Sequence, residues 1–250
     1  MTEPVLSVRD LSAGYGSRQV LANINLTIGR GEWFSLLGPN ATGKSTLLYC
    51  VTGQLAPLAG AVHLGGHSMD MAPQLAKLHL GYAHAPDRLP ALLTGRQCLE
   101  IYAAARQLDE ISADLIALAR DLKLAPLLDH YVETYSLGTR QKLSVLLALV
   151  GAPALIVLDE AFNGLDPASS LTLKRFLQSR VRSQQCSVLL ATHALDIVLQ
   201  YSTRAALLLE GKLAKHWDLA ALAALRQSGL QSLEEDLATD AGACSISASF

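Results

Sequence analysis

Two short runs of residues carry groups suited to phosphate chemistry. The first, GPNATGKST, fits the spacing G-x-x-x-x-G-K-[ST] between an apolar run and a helical pattern. Backbone N–H groups of such a loop and of the following helix N-terminus point at phosphate oxygens. Lys44 is expected to neutralise the β- and γ-phosphates and Ser45 to ligate Mg²⁺, unless the run is only a glycine-rich turn. The predicted phosphate-binding residues are Gly38, Pro39, Asn40, Ala41, Thr42, Gly43, Lys44, Ser45 and Thr46.

The second run, from Tyr135 to Glu160, joins a Ser-x-Gly turn at a helix start to an apolar strand that ends in two carboxylates. Asp159, at the strand end, is expected to hold Mg²⁺, usually through water. Glu160, one residue further on, is expected to polarise a water for attack on the γ-phosphate. The alternative is that the two acids are solvated turn residues.

The surrounding pattern predicts an α/β protein. Residues 4–9 and 20–28 are separated by turn residues and predict an antiparallel strand pair. Short apolar strands alternate with helices elsewhere, which predicts a mostly parallel, buried sheet. From residue 94 to 129 only helical spacing occurs, so a helical lobe at about 86–149 is inserted between two halves of the sheet. The other predicted strands cover 33–37, 62–64, 80–83, 154–158, 187–191 and 205–209, and helices are predicted at 44–51, 138–150 and 168–183.

Bulk properties exclude several classes of protein. Half of the 250 residues are apolar and the net charge is −2, so a large core is available and no basic surface for nucleic acid is indicated. The longest apolar stretch, Val145–Leu158, is interrupted by Gly151 and Pro153 and is too short to span a bilayer. The first ten residues do not have the pattern of a secretory signal. Four scattered cysteines without a CxxC pair predict free thiols in a reducing compartment.

The order of these motifs resembles the nucleotide-binding domain of ATP-binding cassette (ABC) transporters. The resemblance covers roughly residues 4–215 and includes the loop, the sequence YSLGT from Tyr135, the paired acids, Gly164-Leu165-Asp166 and a single histidine, His193. It implies a P-loop NTPase (RecA-like) parallel sheet core with an N-terminal antiparallel β subdomain and an inserted α-helical lobe. Residues 216–250 are expected to form a C-terminal helix and a loose tail.

The resemblance also implies roles for residues outside the phosphate loop. Ser136 and Gly138 would contact the γ-phosphate bound by the opposite subunit, and Asp166 would bridge to that subunit beside its phosphate loop. Ser136 and Asp166 also fit simple helix N-caps, and the two roles can coexist. His193 resembles the switch histidine that contacts the γ-phosphate, and Tyr15 fits the aromatic residue that stacks on adenine.

Two segments depart from the family pattern. Leu137 and Thr139 stand in the signature where the family usually has Leu-Ser-Gly-Gly-Gln, so the geometry of the turn is less regular there. After Gly81-Tyr82 the family has a glutamine that ligates Mg²⁺, whereas Ala85 occupies that position here. His84 or Asp87 could substitute, or Mg²⁺ could keep another water, with slow or permease-dependent hydrolysis as the consequence.

The resemblance implies an ATP-binding and hydrolysing subunit that sandwiches two Mg·ATP molecules in a homodimer or in a heterodimer with a related subunit. Such a subunit drives a separate transmembrane permease, with export favoured, from the cytoplasmic face of the inner membrane. The apolar segment DRLPALLTG (87–95) is a candidate contact with the permease, or core packing. The alternative function is a soluble ABC-type ATPase with no transport role. An ordinary P-loop kinase, which needs a lid over an acceptor site, or a GTPase, which needs a guanine-reading N-K-x-D that is absent here, is disfavoured.

Overall fold

The computed structural model describes residues 3–228 as two sheets and a set of helices around them. The strands are β1 (Leu6–Tyr15), β2 (Arg18–Ile28), β3 (Trp33–Leu37), β4 (Ala59–Leu64), β5 (His67–Ser68), β6 (Leu80–Ala83), β7 (Leu155–Asp159), β8 (Ser187–Ala191), β9 (Arg204–Leu209) and β10 (Lys212–Trp217). The helices are α1 (Lys44–Val51), α2 (Pro73–Leu78), α3 (Gly95–Ala105), α4 (Ala113–Asp121), α5 (Leu137–Ala148), α6 (Pro167–Arg182), α7 (Leu195–Tyr201) and α8 (Leu219–Ser228).

The larger sheet has the strand order β10-β9-β3-β8-β7-β6, and all its neighbouring pairs except β10–β9 are parallel. The smaller sheet has the order β2-β1-β4-β5 and is antiparallel throughout. The predicted α/β class, with a parallel core and an N-terminal antiparallel sheet, is therefore confirmed. In open parallel sheets ligands bind at the carboxyl ends of the strands. The loops after β3, β7 and β8 share that edge.

Alternation along the buried strands divides the apolar side chains between two cores. Trp33 faces the core that contains the helical lobe, whereas the next residue, Phe34, faces the core between the two sheets. The same alternation places Ile156 and Leu158 on the lobe side and Val157 on the other. Because every residue of β3 is buried, this strand holds the loop that follows it against layers on both sides.

The hairpin between β1 and β2 is tighter than its composition suggests. The residues between the two predicted strands, which include the run AGYGS (13–17), were expected to be turn residues, yet β1 continues to Tyr15 and only Gly16 and Ser17 make the turn. Gly14 belongs to the strand because the backbones approach closely there: a Cβ on it would lie 2.1 Å from the carbonyl oxygen of Arg18. The glycine therefore marks close strand contact rather than chain reversal.

The segment between β6 and β7 is helical, as expected, and contains α3, α4 and α5. The predicted C-terminal helix corresponds to α8, whose Leu222 packs in one cluster with Leu37 and Trp217. β10, which was not predicted, runs through residue 215, where the resemblance places the end of the cassette. That division stays a prediction, and the predicted loose tail lies outside the described residues. No helix within residues 3–228 is both long and apolar enough to cross a bilayer.

The described cysteines are buried free thiols, which agrees with the expectation of unpaired cysteines. Burial raises the pKa of both Cys50 and Cys186 to about 11. Since the thiolate is the reactive form, we expect neither to react with a disulfide reagent at pH 8 in the native protein. Peptide mapping after brief labelling, with a denatured sample as the reference, checks this. Rapid native labelling of either cysteine would contradict the packing around α1 or β8.

Candidate functional site

The glycine-rich run forms the connection between β3 and α1 at the carboxyl edge of the parallel sheet. Gly43 has φ 107° and caps α1 without any side-chain hydrogen bond, so the first N–H groups of the helix are not capped by a side chain. A Cβ on Gly43 would lie 2.7 Å from a methyl of Leu21, which favours glycine here for space as well as conformation. The loop therefore offers free backbone donors at a helix N-terminus, the arrangement that binds anions.

Lys44 lies beneath this loop and is buried. Its Nζ donates hydrogen bonds to the carbonyl oxygens of Gly38, at 2.6 Å, and Pro39, at 2.9 Å. Burial lowers the pKa of Lys44, and the nearby carboxylates of Glu160 and Asp159 partly oppose that effect. The ammonium group thus stabilises the loop through these hydrogen bonds and supplies a positive charge to the site.

Ser45 and Asp159 connect the first turn of α1 with the end of β7. The Ser45 hydroxyl donates to Oδ2 of Asp159 at 2.8 Å. Burial is the largest influence on the Asp159 carboxyl and raises its pKa, with the Ser45 hydrogen bond opposing it. A hydroxyl and a carboxylate in contact are oxygen donors of the kind that Mg²⁺ takes. These two residues, predicted from distant parts of the sequence, lie together.

Glu160 is held in place by side chains from two neighbouring loops. Its Oε1 lies 2.8 Å from Nδ1 of His193, and its Oε2 accepts from Asn163 Nδ2 at 3.2 Å and from Thr192 Oγ1 at 3.3 Å. Its backbone φ of 48° lies in the left-handed region, which non-glycine residues rarely occupy. Backbone strain of this kind often occurs at functional sites. The carboxylate is therefore fixed in orientation rather than free in solvent.

The cleft at this edge has a volume of about 200 Å³. Its lining comprises Val20, Asn40, Ala41, Gly43, Lys44, Ser45, Thr46, Asp159 and Glu160. Thr42 lies in the loop and donates to the carbonyl oxygen of Pro39 at 3.0 Å. The structure thus brings the predicted phosphate loop and the predicted acids into one site. Val20, from β2, also lines the cleft, and the sequence alone did not indicate this.

Ser136 and Gly138 do not lie in this cleft. Ser136 caps α5, and its Oγ accepts from the N–H of Thr139 at 3.2 Å. Gly138 approaches the neighbouring loop so closely that a Cβ on it would lie 2.9 Å from the carbonyl oxygen of Gly164. The side chain of Leu137 is largely exposed at the same surface. Within one chain, Ser136 and Gly138 of the signature turn therefore do not border the phosphate cleft.

Asp166 caps α6 and binds a lysine of α5. Its carboxylate accepts from the Ser169 N–H at 2.9 Å and from the Ser169 hydroxyl at 2.6 Å, and Lys142 Nζ lies 2.9 Å away. The Ser169 hydroxyl, then the Ser169 N–H and then Lys142 hold the pKa of this carboxyl below its usual range. The capping role exists within the chain, and its cation partner Lys142 was not anticipated from sequence.

Tyr15 stands at the end of β1 with half of its surface exposed, and it is not part of the phosphate cleft. The exposed ring is free to stack on a planar group, since no described ring packs against it. The geometry leaves the adenine-stacking role as a prediction.

The polar side chains of the loop after β6 do not line the phosphate cleft. The His84 ring packs edge-on against Tyr82, with centroids 4.6 Å apart, and borders a second cleft beside Thr52 and Arg106. Burial lowers the pKa of His84, as does Arg88. Asp87 is exposed in a 3-10 turn and lines neither the phosphate cleft nor this second cleft. Neither proposed substitute for the missing glutamine lines a cleft together with Asp159.

Sequence reasoning assigned no role at this site to Asn163 or Thr192. Asn163 lies three residues after Glu160, and its N–H donates to the Glu160 carbonyl oxygen at 3.0 Å, closing a turn. Asparagine is a common turn residue, so its place three residues after Glu160 was the sequence signal that could have indicated this contact. Thr192 reaches Glu160 only because β8 pairs in parallel with β7, so a local pattern could not reveal it.

A phosphate loop between a parallel strand and a helix, with a hydroxyl–carboxylate pair and a held glutamate, defines a P-loop nucleotide-binding ATPase. The model of the ABC transporter family matches residues 21–163. The chain belongs to that family and is an ATP-binding cassette of the ABC ATPase class.

Individual relatives agree with this assignment. Phospholipid-transporting ATPase ABCA7 of Homo sapiens is 37% identical over 213 residues, which is 83% of this chain but 10% of that protein. The chain therefore spans only a small part of that relative. The uncharacterized ABC transporter ATP-binding protein YdbJ of Bacillus subtilis is 32% identical over 219 residues, 85% of this chain and 69% of that protein. A solved ATP-binding subunit of an ABC transporter superposes with TM-score 0.81 and 28% identity, covering 94% of this chain and 99% of that one.

Proposed function

We propose that this cassette binds Mg·ATP, dimerises around two nucleotides and uses their hydrolysis to drive a separate transmembrane permease, with export as the direction. The observation that carries the proposal is the Glu160 carboxylate, held by His193, Asn163 and Thr192 beside the cleft that contains Lys44. A carboxylate fixed in this way suits a general base that acts on one water. The adjoining cation and helix N-terminus suit a triphosphate.

Phosphate binding falls to the loop from Gly38 to Thr46. Its backbone N–H groups donate hydrogen bonds to the phosphate oxygens. The Lys44 ammonium exchanges its contacts with the carbonyl oxygens of Gly38 and Pro39 for contacts with the terminal phosphates. Catalysis of phosphoryl transfer rests mainly on positioning and on stabilising charge. Burial strengthens the charge stabilisation by Lys44 because the local dielectric is low.

Ser45 and Asp159 fit a divalent cation. Their oxygens are in hydrogen-bond contact. Burial raises the pKa of Asp159, and a bound positive charge would offset that effect by favouring the ionised carboxylate. Bound Mg²⁺ would supply charge neutralisation at the β- and γ-phosphates. Glu160 then accepts a proton from the attacking water, and His193 orients that carboxylate through its Nδ1.

Dimerisation is supported by the absence of Ser136 and Gly138 from the lining of the phosphate cleft of their own chain. The start of α5 is exposed and has free N–H groups, so it suits the terminal phosphate bound by a second copy or a related subunit. Asp166, already bound to Lys142, would meet the same partner at its remaining exposed edge. The homodimer and heterodimer both satisfy this geometry.

Part of the predicted permease contact is buried. In the segment 87–95, Leu89 is buried and Leu93 packs against the lobe core, whereas Leu92 is 77% exposed. We propose Leu92 as the apolar contact for the permease on the cytoplasmic face of the inner membrane. No nucleic acid is part of this function.

Tyr15 offers a test of adenine stacking. Replacing Tyr15 with alanine should weaken ATP binding by about 10-fold, since stacking of a base on an aromatic ring contributes roughly 1–3 kcal/mol. Tyr15→Phe is the matched control and should bind within about twofold of wild type because it keeps the ring. Fluorescent-nucleotide titration measures both, and equal affinities for Tyr15→Ala and Tyr15→Phe would remove the stacking role.

The transport role is tested by purification of the chain from its native membranes in mild detergent. We expect a co-purifying polypeptide with membrane-spanning helices that raises the ATPase rate when the two are reconstituted in vesicles. A cassette that hydrolyses ATP but has no membrane partner would indicate the alternative, a soluble ABC-type ATPase without a transport role.

A further inference from the structure

Gln141 lies in α5, one helical turn after the signature, and borders a cleft of about 430 Å³ next to the phosphate site. The same cleft is bordered by Ser45, Asp159, Glu160 and Ala85. It therefore joins the predicted metal ligands to the position where the family has its glutamine. Ala85 has only a methyl group there.

Gln141 is mostly buried, and the part of it that remains accessible lines this cleft. Only 6% of the residue is exposed, yet its amide atoms are not among the sealed, unpartnered side-chain atoms of the described residues, which are Trp33 Nε1 and His63 Nδ1. An amide that opens on a cleft beside two carboxylates and a hydroxyl is placed to bond a polar ligand there.

Helix α5 also holds the loop that lacks the glutamine. Ser144, three residues after Gln141 and so on the same side of the helix, donates its hydroxyl to the carbonyl oxygen of His84 at 2.6 Å. This contact keeps Ala85 and Pro86 against the cleft that Gln141 borders. The helix is thus anchored next to the metal edge, and Gln141 is the uncharged polar side chain that α5 contributes to the cleft lining.

We propose that Gln141 supplies the amide that Ala85 lacks, bonding the terminal phosphate and the water shell of its divalent cation. The carbonyl oxygen of the amide suits protons of cation-bound water, and its NH₂ group suits a phosphate oxygen. Gln141 acts as a positioning residue for the cation. This inference rests on the proposed Mg·ATP function and deepens it by assigning a residue of the signature helix to the metal edge.

The test measures Mn²⁺ affinity, by electron paramagnetic resonance, in the presence of a non-hydrolysable ATP analogue. Loss of a residue that orients a metal's ligand shell typically weakens metal binding 10- to 100-fold, and we expect a loss in that range for Gln141→Ala. Gln178→Ala, on α6, is the matched control and should bind as wild type. Adding Ala85→Gln to Gln141→Ala should recover at least half of the lost affinity on a logarithmic scale.

Thermal stability of the ligand-free protein separates this role from a structural one. Because the amide opens on the cleft, Gln141→Ala should lose only the packing of its methylenes and melt no lower than about 5 °C below wild type without nucleotide, whereas loss of an amide that holds the fold together would cost more. Unchanged Mn²⁺ affinity in a folded Gln141→Ala, or absence of rescue by Ala85→Gln, would overturn the inference alone. Failure of the wild-type chain to bind the analogue would overturn the proposed function as well.

Discussion

Replacing Glu160 with glutamine is expected to reduce ATP hydrolysis by about 10²- to 10⁴-fold, the usual contribution of a general base. Glutamine keeps the size and the contact with Asn163, but it cannot accept the proton of the attacking water. In the wild type, Nδ1 of His193 lies 2.8 Å from Oε1 of Glu160 and orients the carboxylate. The neutral amide of glutamine no longer offers a charged oxygen for that contact. Affinity for ATP should change little, since Lys44 and the loop are untouched.

Phosphate release at saturating ATP measures the effect of Glu160→Gln. Glu110→Gln provides a matched control, because Glu110 is exposed in the helical lobe and lines none of the described clefts. That variant should hydrolyse ATP at the wild-type rate. A Glu160→Gln protein that retains more than half of the wild-type turnover would show that another group activates the water.

Replacing Lys44 with alanine is expected to weaken ATP binding by about 100-fold or more, because hydrogen bonds to charged groups are each worth roughly 1.5–3 kcal/mol. The substitution removes the ammonium group from a buried site that holds the carboxylates of Asp159 and Glu160. Repulsion between those carboxylates and the triphosphate then loses the compensation that the ammonium charge provides. The carbonyl oxygens of Gly38 and Pro39 also lose their donor, so the loop is less firmly held.

Calorimetric titration with ATP and Mg²⁺ measures the loss at Lys44. Arg175→Ala removes an exposed cation from α6 and is the control for a general change in charge. It should bind ATP within about twofold of wild type. If Lys44→Ala binds ATP within threefold of wild type while remaining folded, the phosphate loop has been assigned to the wrong ligand.

The fold was largely predictable because its strongest signals are local. Short apolar strands such as Trp33–Leu37 and Leu155–Asp159 are buried on both faces, and their continuous hydrophobicity indicates a parallel core. The phosphate loop is equally local, since its spacing alone determines which residues surround the anion. β10 was missed because its exposed and partly buried residues alternate around a weak apolar pattern.

The candidate site was only half predictable, because the rest of it depends on contacts between distant segments. Glu160 could be identified from the strand end, but its contact with Thr192 requires the parallel pairing of β7 with β8. Gln141 gave no signal, since a glutamine within a helix usually indicates an exposed surface. Its burial follows from the packing of α5 against the loop after β6, which no local pattern expresses.

The central claim is that two copies of this cassette close around ATP, with Ser136 and Gly138 of each reaching the nucleotide of the other. The most direct test is the molar mass of Glu160→Gln in solution, measured by light scattering during size exclusion with and without Mg·ATP. We predict the mass of one chain without nucleotide and of two chains with it, and a return to one chain when Ser136→Arg is added. A single-chain mass at saturating ATP, with ATP demonstrably bound, would contradict the account.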